Sequence, residues 1–131
     1  SAFGMVLTAF ADGDVTQLQR LLSFELHEEF SESIRLRNKN GDELGIEIIS
    51  IDDVQLTDGQ VVDNIASVTV TFVSTQTRTL TDRDGVVLEE DSMDSTELTD
   101  IWVFERDTQL DDPNWKLVET RVPEEEGDEA N

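Results

Sequence analysis

Apolar positions keep a helical period as far as Gly41 and a period of two after it. Phe3, Val6, Leu7 and Phe10 fall at i, i+3, i+4 and i+7, which predicts a first helix. Ala11-Asp12-Gly13 ends it, and Gly13 suits the left-handed conformation that closes helices. Asp14 caps a second helix, with Gln17 completing a capping box and Val15, Leu18, Leu21 and Leu22 forming the apolar stripe. Ser23 caps a third helix, whose stripe is Phe24, His27, Phe30 and Ile34, with Leu26 nearby. Glu25, Glu28, Glu29 and Glu32 lie toward its start and Arg35, Arg37 and Lys39 toward its end, an order that complements the helix dipole. Asn38-Lys39-Asn40-Gly41 stops it.

Ile46, Ile48, Ile49, Ile51, Val54 and Leu56 predict a first strand, and the adjacent Ile48-Ile49 pair predicts a bulge because it breaks alternation. Asp58-Gly59 reads as a hairpin turn. A second strand over 65–79 sets Val68, Val70 and Phe72 on one face and Thr69, Thr71 and Val73 on the other. A turn over 81–85, a short Val86-Val87-Leu88 segment and a polar stretch over 89–97 lead to a closing hairpin over 98–122. Leu98, Asp100, Trp102, Phe104 and Arg106 share one face of that hairpin's first strand, and Thr99, Ile101, Val103 and Glu105 the other. Its turn ends at Asp111-Asp112-Pro113-Asn114, and Trp115, Leu117, Glu119 and Arg121 form one face of the return strand. Both tryptophans sit here, the expected anchors of the core. Helices followed by an antiparallel meander make an α+β domain over 1–122, with the sheet curled around the long third helix and the shorter helices closing one end. Residues 123–131, rich in acids and without a large apolar side chain, predict a disordered acidic tail.

Composition narrows the chemistry. The 131 residues suit one domain, and no apolar run approaches the roughly 20 residues of a membrane helix. The chain begins Ser-Ala, which is expected of a fragment or a processed chain lacking an N-terminal membrane segment. There is no cysteine and a single histidine, His27, so thiolate and multi-histidine metal sites are excluded. A net charge of −22 repels nucleic acid and attracts basic partners, or serves solubility alone. Asp82-x-Asp84-Gly85 and Asp12-Gly13-Asp14 resemble pieces of calcium loops but lack the full ligand series, so turn chemistry accounts for both; neither a metal nor a cofactor is expected.

Asp100 shares its face with Trp102, so an inward orientation demands a partner, for which Arg35, Arg37, Arg78 and Arg121 are the candidates; an ion pair is the simpler reading, a ligand-orienting acid the sharper one. His27 within reach of Asp100 would make an acid–base dyad, but the chain has no tyrosine to act as an oxyanion donor, and no catalytic residue is assigned. The candidate pocket-lining set is Phe10, Leu22, Phe24, His27, Phe30, Ile34, Phe72, Asp100, Trp102, Phe104 and Trp115.

The opening AFGMVLTAFADGDVTQLQRLLSFELHEEFSESIRLRNKNG (2–41) and the closing DIWVFERDTQLDDPNWKLVETR (100–121) closely resemble the Tim44-like family. Its namesake is the peripheral, chaperone-tethering subunit of the mitochondrial inner-membrane protein-import translocase. Bacterial relatives, chiefly alphaproteobacterial, are described as adaptors. The resemblance implies a cystatin-like, nuclear-transport-factor-two-like cone. It also implies a non-catalytic adaptor at the inner membrane, held by an N-terminal segment with this domain on the cytoplasmic side. Its partner would be a translocation component or a chaperone. The alternative is a module that binds a small apolar ligand or lipid in the cone pocket. Mitochondrial members are thought to dock on cardiolipin through the first helices of this domain. Here Arg20 is the one base among residues 1–34, so charge weighs against direct binding to an anionic lipid surface.

Overall fold

In the computed structural model, which describes residues 2–88, 95–111 and 114–123, the change of period marks the change from helix to sheet. Three helices, α1 (Ala2–Asp12), α2 (Val15–Leu21) and α3 (Phe24–Asn40), precede four strands, β1 (Glu43–Val62), β2 (Ile65–Thr81), β3 (Thr96–Asp107) and β4 (Lys116–Arg121). All of the predicted tail but its first residue (124–131) and much of the 89–97 stretch (89–94) lie outside the described residues.

Local chemistry sets the helix ends. The Asp14 side chain accepts from the Gln17 amide at 3.1 Å. The reciprocal half of the expected capping box does not form, because the Asp14 amide donates to the Ala9 carbonyl at 2.9 Å and the Gln17 side chain accepts from Arg20 at 3.3 Å. Ser23 Oγ accepts from the Leu26 amide at 3.3 Å and opens α3. Gly41, at φ +78, closes it in the left-handed conformation.

The sheet is an antiparallel meander in the order β1-β2-β3-β4. The expected turn at Asp58-Gly59 is corrected: both residues lie inside β1, opposite Thr69 and Val68. The chain reverses at Asp63-Asn64, with φ of 52 and 71, a pair of residues that tolerate the left-handed region, so Val61 and Val62 extend the strand. Thr108 pins this tip by donating its amide and hydroxyl to the Asn64 carbonyl at 2.9 and 2.7 Å. The register shift between Ile48 and Ser50 is the bulge that Ile48-Ile49 predicts, and two more fall between Ile51 and Asp53 and between Leu56 and Asp58. Each extra residue resets the parity, which keeps Ile51, Val54 and Leu56 opposite Ser74, Phe72 and Val70 on one face of the sheet.

The helix in the core is α1, not α3 as the helix lengths suggested. Phe3 is fully buried, with Val6, Leu7 and Ala9 close behind, whereas α3 buries only Leu26 and Ile34. Charge explains the exchange: α1 carries none before Asp12, while α3 carries Glu25, Glu28, Glu29, Glu32, Arg35, Arg37 and Lys39 and must keep most of its surface in water. Phe3 stacks on Phe72 at 4.4 Å and leans on Trp102 at 4.7 Å, fixing α1 against the sheet. Trp102 is buried as predicted, but Trp115 is 38% exposed at the rim of the core. Fully buried Leu18 and Leu117 seal the far side, where the Ser23 amide donates to the Leu117 carbonyl at 2.8 Å and ties the α2–α3 joint to β4.

Candidate functional site

Two recesses open between helices and sheet, one on each side of α1. The first begins as an apolar cleft of about 260 Å³ between the start of α1 and the sheet, lined by Ala2, Phe3, Val68, Phe72, Phe104 and Trp115. It adjoins a broader groove of about 550 Å³, in which Arg20 and Lys116 join Met5, Leu21, Phe104 and Trp115. Lys116 spends its ammonium on the last turn of α2, donating to the Arg20 carbonyl at 2.7 Å and the Gln19 carbonyl at 3.3 Å. The Arg106 guanidinium lies over the Trp115 ring, 5.9 Å from its centroid. This mouth is thus a local concentration of positive charge on an acidic protein.

The second recess, about 200 Å³, is lined by Val6, Leu7, Phe10, Phe30, Arg78, Asp100, Trp102 and Thr120. Asp100 sits opposite Phe72 in the β2–β3 register, so the strand period turns it inward. One of its carboxylate oxygens is buried without a hydrogen-bond partner. Burial raises its pKa above the usual aspartate range, and the nearby positive charge of Arg78 pulls it back in part. Arg78 nevertheless gives its Nε–H to Gln76 at 3.1 Å, and Gln76 in turn donates to Ser74 at 2.8 Å. Among the described residues no ion pair closes on Asp100. Arg35 faces Glu32, Arg121 faces Glu119, and Arg37 donates to the Phe10 and Ala11 carbonyls at 2.8 and 3.2 Å, capping α1.

The predicted lining residues therefore divide. Phe10, Phe30, Asp100 and Trp102 meet in the second recess, and Phe72, Phe104 and Trp115 in the first. Leu22 and Ile34 are core residues and line neither. Phe24 is 74% exposed: it follows directly on the Ser23 cap, and the face that α3 buries runs through Leu26 and Ile34 instead. His27 is engaged at the joint of α2 and α3, where its Nε2 lies 2.9 Å from the Val15 carbonyl; that oxygen can only accept, so the nitrogen is a donor there. It lines neither recess, and the imagined dyad with Asp100 is not assembled.

Sequence reasoning missed the buried polar pair Ser74 and Gln76. The available signal was that the inward face of β2 turns from apolar to polar after Phe72. The calcium-loop fragments are turn devices: Asp82 accepts from the Asp84 and Val86 amides, each at 2.9 Å, and Asp14 caps α2. Chemically, the second recess offers apolar walls, one acid and one guanidinium, while the first offers apolar walls with a basic rim.

No curated protein matches the chain. Among solved structures it is similar to the intermembrane-space region of the chloroplast protein ARC6, with 15% identity and a TM-score of 0.58 over 88% of this chain and 82% of that one. At that identity the likeness speaks for the fold, helices followed by a curved antiparallel sheet. The family profile of the Tim44-like domain matches residues 1–122, which takes in every helix and strand described above. The chain belongs to the Tim44-like domain family.

Proposed function

We propose that this domain is a non-catalytic adaptor that docks a membrane-associated protein partner, a translocation component or a chaperone, at the cytoplasmic side of an inner membrane. The observation that carries the reading is the family match over residues 1–122. The recesses support it, because their linings suit binding and neither brings a histidine together with a carboxylate. Among the described residues no helix is long and apolar enough to cross a membrane; in this reading attachment runs through the partner or through an N-terminal segment outside this domain. The test is affinity recovery from detergent-solubilised membranes of the source cells at low and high salt. Recovery of one translocation component or chaperone in stoichiometric amount supports the adaptor. Recovery of none at either salt counts against it.

A second reading has its own observation. The cleft lined by Phe3, Phe72, Phe104 and Trp115 is almost wholly apolar and open to solvent, which fits a small apolar ligand or lipid tail. Native mass spectrometry of the purified chain decides: a stoichiometric apolar adduct favours the ligand module, and a bare mass removes its support.

A further inference from the structure

The recess around Asp100 is built from elements that the core holds in place. α1 supplies Phe10, α3 supplies Phe30, β2 supplies Arg78, and β3 supplies Asp100 and Trp102. Thr120 of β4 stands opposite Trp102 in the register. Trp102 packs against Phe3 and Phe72 and is buried, so this wall is fixed. Phe10 and Phe30 meet edge to face with ring centroids 5.3 Å apart. The space between these walls is about 200 Å³. An apolar cavity of about 150 Å³ takes up benzene, so this volume suits one six-membered ring with a short head.

The two charged groups of the lining sit at different depths and lack different things. Asp100 is half-buried, and one of its oxygens is shut away from water with no hydrogen-bond partner. An orphaned buried acceptor costs free energy, and a donor brought into the recess removes that cost. The carboxylate turns readily about its last bond, so either oxygen can face an occupant. Arg78 is exposed, and among the described residues only its Nε–H has a partner, Gln76 at 3.1 Å. The acid needs a donor and the guanidinium needs an acceptor. Charge selects against ions of either sign. A cation that reaches Asp100 also meets Arg78, and the Phe10 ring already carries the Arg37 guanidinium 5.1 Å from its centroid. An anion that reaches Arg78 meets Asp100 and a chain of net charge −22. A neutral head that both donates and accepts satisfies the two groups together.

We infer that this recess binds a small neutral organic molecule, with one apolar ring seated among Phe10, Phe30 and Trp102 and a carboxamide or hydroxyl head that donates to Asp100 and accepts from Arg78. The site lies on the other side of α1 from the apolar cleft, and the inference rests on neither functional reading above.

The test titrates the whole isotope-labelled chain with benzamide and with benzyl alcohol at neutral pH and follows amide and indole N–H signals by NMR. The controls are acetophenone, in which a methyl replaces the amide nitrogen, and benzyl methyl ether, which lacks the hydroxyl hydrogen. Benzoate and benzylammonium carry the two charges. The expected result is saturable shifts of the Trp102 indole and of the Phe10 and Thr120 amides, with the Trp115 indole unmoved. A probe binds at least about tenfold more tightly than its control without the donor, the worth of one hydrogen bond to a charged group. Either head meeting this standard supports the assignment, and the tighter one names the head. Asp100→Leu, close in shape but without the acceptor, removes the preference over the control, and Arg78→Met weakens both heads. The spectra show whether each variant is folded, and Arg78→Met decides alone if Asp100→Leu is not. Controls that bind as tightly as the probes make the recess merely apolar and overturn the assignment. So do tighter binding of benzoate or benzylammonium, undiminished preference or affinity in the folded variants, and shifts confined to Trp115, which put the molecule in the other cleft. Failure of both probes to saturate leaves the recess to water and overturns it as well.

Discussion

Replacing Phe3 by alanine tests the claim that α1, not α3, holds the domain together. Phe3 is fully buried and touches two rings at once, Phe72 at 4.4 Å and Trp102 at 4.7 Å. Truncating a buried phenylalanine costs about 3–5 kcal/mol, made up of lost transfer free energy and the cavity left behind. Losing two aromatic partnerships, each of about 0.5–1.5 kcal/mol, places this site in the upper half of that range, near 4–5 kcal/mol. A domain of this size is stable by about 5–15 kcal/mol, so the change consumes about a quarter of the total or more. The control is Phe24→Ala. The same helical spacing assigns Phe24 to a stripe, but it is 74% exposed, and its truncation is expected to shift stability by less than about 0.5 kcal/mol. Urea unfolding followed by tryptophan fluorescence reads both, because buried Trp102 sits beside Phe3. With an unchanged denaturant slope, the midpoint for Phe3→Ala falls far below that for Phe24→Ala. A Phe24→Ala cost equal to that of Phe3→Ala would show that α3 is the core helix and that the packing described here is wrong.

Three further outcomes follow from particular contacts. Burial raises Asp100 above its unfolded value, so the folded state holds that proton more tightly; the group's contribution to stability therefore declines as pH rises from the ordinary aspartate range through the raised value, and the penalty is complete above it. Asp100→Asn is accordingly expected to raise the melting temperature at about pH 8 and to lose that advantage toward about pH 3; a lower melting temperature at pH 8 would contradict the unpaired-acid reading. Arg37→Met removes the guanidinium that caps the Phe10 and Ala11 carbonyls and is expected to cost about 1–3 kcal/mol in denaturant unfolding, with Arg37→Lys restoring only part because one ammonium replaces a fork. Gly41→Ala forces a side chain into φ +78, with a Cβ 2.9 Å from Arg83 atoms, and is expected to cost about 1–2 kcal/mol or more. A cycle with Arg83→Ala separates the overlap from the backbone strain.

The sequence spoke most clearly where local chemistry decides. Asp14, Ser23 and Gly41 cap helices because capping depends on a few neighbouring atoms, and Ile48-Ile49 marks a bulge because the pair breaks the alternation of the strand, with Ile49 left unpaired. It failed where competition between distant elements decides. Periodicity gave stripes to both α1 and α3, and only the charge on α3 settles which of them the sheet can bury. Asp58-Gly59 had the composition of a turn, yet the chain runs past it because Asp63-Asn64 also accepts the left-handed region and lets Val61 and Val62 pair with Ala66 and Ile65. At the candidate site, alternation placed Asp100, Trp102 and Phe104 on one inward face. That α1 would divide the lining residues between two recesses depends on where Phe3 lodges, which no local pattern encodes. The exposure of Ile51, Val54, Leu56 and Val61 was equally hidden, since an isoleucine or leucine on a strand looks the same in sequence whether or not another element covers it.

The most direct test of the adaptor account is photocrosslinking in the source cells, with a photoreactive residue in place of Leu56 or in place of Gln55. Leu56 is 68% exposed on the face shared with Val70, and Gln55 points to the opposite face beside Thr71. The account predicts a discrete adduct that fractionates with the membrane and contains a translocation component or chaperone, from whichever of the two faces meets the partner. No membrane-linked adduct from either position, or the same diffuse pattern from both, would contradict it.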